Sequence, residues 1–219
     1  MFKMTKQAYL QLTRRCNNRC IFCSNPQFEK SLSLQQAKRK ILNFAKKGVS
    51  RILLTGGEPT EWPNLKQIIV FAAEQGMEVK MISNGVNLCN EKMAEGLFEA
   101  GLETIHISLH SHKESVSDSL SQKRGHFKKT IQGIRNCIKS GINVNLNSTI
   151  NSKNCNHLSD FMQFMVDKFD SVKHFVFNGL DPGNSDGDIK SRAGNNPWIV
   201  PRFRDFELEL NKALQVLEN

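Results

Sequence analysis

The chain has 219 residues, of which 39% are hydrophobic and 23% are charged, and this composition is typical of a folded globular protein. It contains no long uncharged apolar run and its N-terminus lacks the pattern of a signal peptide, so we expect a cytoplasmic protein without a membrane-spanning helix. The formal charge of +9 is uneven, because residues 1–55 hold twelve Lys and Arg residues and a single acidic residue, Glu29.

Apolar segments with strand character alternate along the chain with segments of helical periodicity. Six strands are predicted, at 8–13, 51–55, 77–83, 104–110, 142–148 and 172–178. Helices are predicted at about 33–48, 63–76, 90–101, 126–141, 156–168 and 203–217. The first helix starts with a capping-box pattern at Ser33 and Gln36, and glycines such as Gly48 and Gly141 end the helices. Repeated β-then-α units predict a parallel sheet with right-handed crossovers.

Alternation within the strands distinguishes an open sheet from a barrel. In both 104–110 and 142–148, apolar residues alternate with polar ones. A sheet covered by helices on both faces would instead show continuous apolar runs. We therefore predict an α/β fold, a partial (β/α)6 TIM-like barrel with a polar lumen, as one domain over 1–219 whose sheet and helices lie within 8–178.

One long stretch without periodicity, 180–200, is rich in Gly, Asp, Asn and Pro. A loop of this length in a compact domain is either functional or disordered. The sequence leaves both interpretations open: a lid or substrate loop over an active site, or a disordered segment before the last helix.

Three cysteines, Cys16, Cys20 and Cys23, follow the first strand in a C-x3-C-x2-C pattern. A structural zinc ion or an ordinary electron-transfer cluster takes four protein ligands, and no other cysteine precedes Cys89. Three thiolates on a four-iron cluster would leave one iron open for a substrate or cofactor. A zinc site with a remote fourth ligand and a thioredoxin-like Cys20/Cys23 pair remain alternatives at this point.

Polar or glycine-rich residues also end the other predicted strands. These ends carry Gly56-Gly57-Glu58-Pro59, Ser83-Asn84-Gly85, Ser108, Asn147 and Asn178-Gly179. Parallel α/β folds bind ligands at the carboxyl ends of their strands, so these residues predict a binding rim. The histidines at 106, 110 and 112 suggest a metal site as a further alternative, but no carboxylate accompanies them in the pattern.

The run CNNRCIFC, followed about one βα unit later by GGEP in a six-unit βα pattern, resembles the radical S-adenosylmethionine (radical SAM) superfamily from Tyr9 to about Phe177. The resemblance implies a 4Fe-4S cluster held by Cys16, Cys20 and Cys23, with S-adenosylmethionine at its open iron. It also implies an enzyme: an external donor reduces the cluster, S-adenosylmethionine is cleaved to give a 5′-deoxyadenosyl radical, and this radical abstracts hydrogen from a substrate.

The same resemblance implies the other cofactor contacts. Gly56, Gly57 and Glu58 would line the methionine amino group, Phe22 would lie near the adenine, and Arg124 would be directed at the cofactor carboxylate. The residues expected to reach the ribose or carboxylate from the third, fourth and fifth strand ends are Ser83 with its neighbour Asn84, Ser108 and Asn147. The alternative for Ser108 and Asn147 is that they are polar side chains satisfied by hydrogen bonds inside the lumen, without a cofactor contact.

The basic excess surrounds the cysteine loop at Arg14, Arg15 and Arg19 and continues in the next helix. It is either a solvated surface or a landing site for an acidic partner, which we expect to be a flavodoxin-like electron donor, with an acidic peptide as the alternative. Nucleic acid is disfavoured, because no aromatic-rich basic stretch accompanies the charge.

The substrate is less well specified than the cofactors. Segments 108–130 and 191–198 weakly resemble peptide-modifying members, which predicts a peptide substrate. The alternatives are a compact small-molecule enzyme of the deazapurine type, a glycyl-radical activase, a non-catalytic iron-sulfur module, or a truncated core that lacks its substrate domain.

Overall fold

Six β-strands form one sheet in the computed structural model, which describes residues 6–24, 30–172, 174–180 and 192–217. The sheet order is β1-β2-β3-β4-β5-β6, so each strand neighbours the next one along the chain. The strands are β1 Gln7–Thr13, β2 Arg51–Gly56, β3 Glu78–Ser83, β4 Leu102–Ser108, β5 Asn143–Ile150 and β6 Phe175–Gly179. The strand pairs β1/β2, β2/β3, β3/β4 and β5/β6 are parallel. The predicted α/β class with a (β/α)6 order is confirmed.

The helices of the described residues connect and cover these strands. They are α1 Leu34–Lys46, α2 Leu65–Glu74, α3 Glu91–Glu99, α4 Glu114–Ser121, α5 His126–Lys139, α6 Leu158–Lys168 and α7 Glu207–Gln215. The predicted last helix at 203–217 is divided into a 3₁₀ turn, Phe203–Asp205, and α7.

Helix α1 forms as its sequence predicts. The Ser33 hydroxyl accepts a hydrogen bond from the Gln36 N–H at 3.2 Å, and the Gln36 side chain accepts one from the Ser33 N–H at 2.8 Å. This reciprocal capping box satisfies two backbone donors at the helix start. After the helix, Gly48 has a φ of 71°, a left-handed conformation that favours glycine.

Strand register aligns a row of apolar side chains across the first four strands. Leu10 is paired with Leu54, Leu54 with Met81, and Met81 with Ile105. All four side chains are buried, so the row belongs to the hydrophobic core beneath the helices. In β5 the same alternation buries Val144 and leaves Asn145 and Asn147 partly exposed.

Helix α4 was not predicted from the sequence. Its segment, ESVSDSLS, carries only two large apolar residues, Val116 and Leu120, too few for a clear helical stripe. Leu120 is nevertheless fully buried and Val116 packs in the same cluster, so tertiary contacts specify this helix.

The chain forms two compact units. The first comprises Met1–Asn17, Gln27–Ile107 and Lys129–Val144, and the second comprises Asn18–Pro26, Ser108–Lys128 and Asn145–Asn219. Of the predicted long loop, 181–191 lies outside the described residues, and 192–200 contains a 3₁₀ turn, Pro197–Ile199. Within the described ranges, no helix has both the length and the apolar character needed to cross a membrane.

Candidate functional site

The cysteine loop begins directly after β1. All three of its cysteines are partly buried thiols. Cys16 belongs to the first compact unit, and Cys20 and Cys23 belong to the second.

In the first unit, the Gly56-Gly57 turn lies against the start of the cysteine loop. The Gly57 N–H donates to the Thr13 carbonyl at 2.8 Å, and the Glu58 N–H donates to the Arg15 carbonyl at 2.8 Å. A Cβ at Gly57 would lie 2.3 Å from the Arg15 carbonyl oxygen, and one at Gly56 would lie 2.4 Å from that of Thr13. Only glycine fits at either position, because a Cβ would clash with the backbone that leads to Cys16.

The Glu58 carboxylate connects the ends of β2 and β3. It is 1% exposed. One oxygen accepts hydrogen bonds from the Thr60 N–H, the Thr60 hydroxyl and the Ser83 hydroxyl at 3.1, 2.7 and 2.8 Å, and the other accepts one from the Asn84 N–H at 2.8 Å. Burial raises the pKa of Glu58, while these hydrogen bonds act in the opposite direction. The geometry makes Glu58 a rigid support for the β3 turn.

Asn84 extends from that support to the first cysteine. Its side-chain amide donates to the Asn17 side-chain oxygen at 2.7 Å and lies 3.8 Å from Cys16 Sγ, within hydrogen-bonding range for sulfur. Its own side-chain oxygen accepts from the Val86 N–H at 2.9 Å, which fixes the orientation of the amide. Ser83 turns inward instead, since its hydroxyl donates to Glu58 and accepts from the Gly85 N–H at 3.0 Å.

In the second unit, the other half of the loop is held against α4. The Arg19 and Ile21 N–H groups donate to the carbonyls of Ser121 and Leu120, each at 3.0 Å. Phe22 is buried in a hydrophobic cluster with Leu120 and contacts the His110 ring edge-on, with centroids 4.9 Å apart. The predicted place of Phe22 near an adenine stays a prediction.

Two buried histidines accompany this half of the loop. His126 Nδ1 lies 3.1 Å from the Asn18 side-chain amide, and the Thr149 N–H donates to His110 Nδ1 at 3.1 Å. Burial lowers the pKa of His110 to about 3 and that of His126 to about 4. Both rings are therefore neutral at pH 7, and they contact the loop through Asn18 and Phe22.

The remaining predicted residues lie at different places in the second unit. Asn147 is the most informative, because its buried side-chain oxygen has no hydrogen-bond partner among the described residues. Such an atom suits a bound polar group. Ser108 ends β4 and is partly buried, whereas Arg124 is exposed just before α5.

No group of three His, Cys, Asp or Glu side chains within the described ranges is arranged around a single metal ion. The zinc and histidine alternatives therefore gain no support. A four-iron cluster poses a different requirement, since it takes each thiolate at a separate iron.

Sequence reasoning missed two participants in this network. Thr60 gives two hydrogen bonds to Glu58, and Asn17 receives the Asn84 amide while its own amide donates to Asn87 at 3.0 Å. Both are adjacent to recognised motifs, Thr60 directly after GGEP and Asn17 directly after Cys16. That adjacency was the available signal.

Comparison with known proteins gives a consistent result. The sequence model described as "Radical SAM superfamily" matches residues 10–164. The Fe-coproporphyrin III synthase of Methanosarcina barkeri is 36% identical over 147 residues, 65% of this chain and 36% of that protein. The PqqA peptide cyclase of Bradyrhizobium diazoefficiens is 27% identical over 195 residues, 87% of this chain and 50% of that protein.

Among solved structures, Streptococcus suis SuiB bound to S-adenosylmethionine has the same fold. It matches with a TM-score of 0.75 at 15% identity, covering 98% of this chain and 48% of SuiB. The chain thus spans about half, or less, of the length of these proteins.

Proposed function

This chain belongs to the radical SAM superfamily, and on that premise we propose that it cleaves S-adenosylmethionine reductively and abstracts a hydrogen atom from a peptide. Its cofactors are a 4Fe-4S cluster and S-adenosylmethionine. When bound, they supply an electron and a 5′-deoxyadenosyl radical, and the task left to the protein is to bind, orient and exclude water.

One observation carries the proposal: the chain entering the cysteine loop is hydrogen-bonded to the glycine-rich turn. The two bonds from Gly57 and Glu58 fix the backbone on either side of Arg14, two residues before Cys16. A metal-ligand loop and a cofactor-binding turn that share backbone hydrogen bonds form one preorganised element.

The residues present fit the two cofactors. We assign Cys16, Cys20 and Cys23 as the thiolate ligands, because one short loop supplies all three. Asn84 orients toward the first of them, and the unpartnered oxygen of Asn147 is available to a polar cofactor group. Gly56, Gly57, Ser108, Arg124 and Phe22 keep the cofactor contacts assigned by resemblance, whereas Glu58 and Ser83 act through the network that holds Asn84.

A peptide substrate is supported by the relative named PqqA peptide cyclase, which aligns with 87% of this chain. The second candidate is a tetrapyrrole, favoured by the 36% identity to a protein named Fe-coproporphyrin III synthase. Each relative is at least twice as long as its aligned part, so substrate choice also depends on what residues outside the match contribute.

The proposal is tested by anaerobic reconstitution with iron and sulfide, followed by S-adenosylmethionine and dithionite. We expect a cluster with a 4Fe-4S spectrum and release of 5′-deoxyadenosine. Cys20→Ala removes both, whereas Cys89→Ser, a change of a thiol outside the loop, removes neither. An intact cluster without 5′-deoxyadenosine would support the non-catalytic module instead.

Substrate class is tested by stimulation of 5′-deoxyadenosine release. A peptide library and iron coproporphyrin III are supplied in parallel, and products are analysed by mass spectrometry. Stimulation and a mass change in the porphyrin, with none in any peptide, would replace the peptide proposal by the tetrapyrrole one.

A further inference from the structure

Arg192 donates two hydrogen bonds to the cysteine loop, although 169 or more positions separate it from that loop. Its backbone N–H donates to the Cys23 carbonyl at 2.9 Å, and its guanidinium Nη1 donates to the Cys20 carbonyl at 3.3 Å. All three residues belong to the second compact unit. One residue thus contacts the backbone of two of the three assigned ligands.

The backbone of Arg192 is itself held in place. Its carbonyl accepts from the Asn196 side-chain amide at 2.9 Å, and the Asn196 N–H donates to the Ala193 carbonyl at 2.9 Å. Ala193 and Ile199 are fully buried in the hydrophobic cluster that contains Phe22. Residues 192–200 therefore form a packed segment, which we call the strap. Arg192 is the first residue of the strap.

A fixed cation at this place has an electrostatic consequence. Reduction adds a negative charge to an iron-sulfur cluster, and nearby positive charge and hydrogen bonding stabilise the reduced state. Arg192 is partly buried, so its charge is screened less than that of the exposed Arg15 and Arg19. An arginine also stays protonated at every working pH.

We propose that Arg192 is a positioning residue for the cluster, which fixes the loop segment of Cys20 and Cys23 and raises the reduction potential. The inference rests on the proposed function, since it requires that these cysteines bind the cluster. It goes beyond that function by assigning to the strap a role in cluster retention and in the ease of reduction.

The test uses the anaerobically reconstituted chain and three variants. Arg192→Met removes the charge and the donors at similar length, Arg192→Lys keeps the charge, and Arg204→Met is the control. The Arg204 side chain is exposed and lies 4.0 Å from Asp205, a surface pair of little energetic weight. The midpoint potential is measured by EPR-monitored redox titration, and retained iron is measured after a chelator challenge.

For Arg192→Met we expect a more negative midpoint potential, with a loss of about tenfold in the equilibrium constant for one-electron reduction, or about 59 mV. We also expect faster loss of iron to the chelator. Arg192→Lys should lie near the wild type in potential but lose iron faster, because an ammonium does not reproduce the guanidinium geometry. Arg204→Met should match the wild type in both measurements.

The outcomes separate this inference from the proposed function. A wild-type chain that binds no cluster would overturn both. If the wild-type chain binds the cluster and Arg192→Met has the same midpoint potential and the same iron retention as the wild type, the inference alone is overturned. If Arg192→Met does not fold, Arg192→Gln, which is neutral but polar, gives the same comparison with Arg192→Lys.

Discussion

Glu58 is the residue on which the site in the first unit depends. Its buried carboxylate accepts four hydrogen bonds, and they hold Thr60, Ser83 and Asn84 in fixed positions. Asn84 in turn orients toward Cys16. The carboxylate in the GGEP motif therefore supports the turn that carries Asn84.

Replacement of Glu58 tests this role. Glu58→Ala should lower the free energy of unfolding by on the order of 3 kcal/mol, because it leaves several buried donors without acceptors. Glu58→Gln should cost less, since one oxygen remains, and it should retain more iron after reconstitution than Glu58→Ala. Glu74→Ala, at an exposed position at the end of α2, is the control. Chemical denaturation and iron analysis give the two readouts. Equal stability of Glu58→Ala and the control would contradict the role.

The buried histidines predict acid sensitivity. The pKa of His110 falls to about 3 on burial and that of His126 to about 4. In the unfolded chain both rings titrate near 6.5, so the unfolded state binds more protons below that pH. The stability that the neutral rings contribute is complete above pH 6.5 and is lost as the pH falls toward 4 and 3.

We therefore expect His110→Asn to flatten the decline in unfolding free energy between pH 6.5 and 4. The asparagine side-chain oxygen can accept from the Thr149 N–H but does not titrate. The stability difference at pH 7.5 measures the packing cost of the change and serves as its control. An unchanged slope for the variant, measured by denaturation at each pH, would show that His110 does not carry the effect.

At the scale of elements, α4 and the strap at 192–200 support the second half of the cysteine loop. The last carbonyls of α4 accept from Arg19 and Ile21, and the strap donates to Cys20 and Cys23. Phe22 and Leu120 lie in the same hydrophobic cluster. Packing in this cluster thus determines the backbone geometry of two assigned ligands.

Leu120→Ala should destabilise the protein by about 2–5 kcal/mol, the cost of truncating a fully buried leucine. It should also accelerate iron loss, although Leu120 is not an assigned ligand. Leu208→Ala, in α7 at a position that is 74% exposed, is the matched control and should change neither quantity. If Leu120→Ala destabilises the protein without faster iron loss, then packing at α4 does not control iron retention by the cysteine loop.

At the scale of the whole molecule, the uneven charge bears on electron delivery. Arg15 and Arg19 are exposed on the cysteine loop, and in the first unit α1 carries the exposed Arg39, Lys40 and Lys46. Charge complementarity favours an acidic donor at such a surface and increases its association rate. We propose an acidic electron donor as the partner of the exposed arginines of the cysteine loop.

Reversal of Arg14, Arg15 and Arg19 to glutamate should slow reduction by an acidic flavodoxin about tenfold or more at low salt. Turnover driven by dithionite should stay comparable. Reversal of the exposed Lys168, Arg204 and Lys212 is the charge-matched control and should affect neither. Equal losses with both reductants would show that the loop arginines act on the cluster site itself.

The local features of this protein can be predicted from its amino-acid sequence. Short apolar segments between helical stretches located the six strands, and Ser33 and Gln36 located the start of α1. The cysteine and GGEP motifs identified the family and its cofactors. These features are readable because periodicity, capping and ligand spacing are relations between residues close together in the chain.

The contacts that hold the site in place become visible in the folded structure alone. Four features have no signature in a local sequence pattern. They are the hydrogen bond from Ser83 to Glu58, the contact of Gly57 with the Arg15 carbonyl, helix α4, and the hydrogen bonds from Arg192 to Cys20 and Cys23. Each depends on a hydrogen bond or a steric contact between segments that are 25 to more than 160 positions apart. Folding brings such segments together through burial of the whole core, and the energy of that burial is not contained in either segment alone.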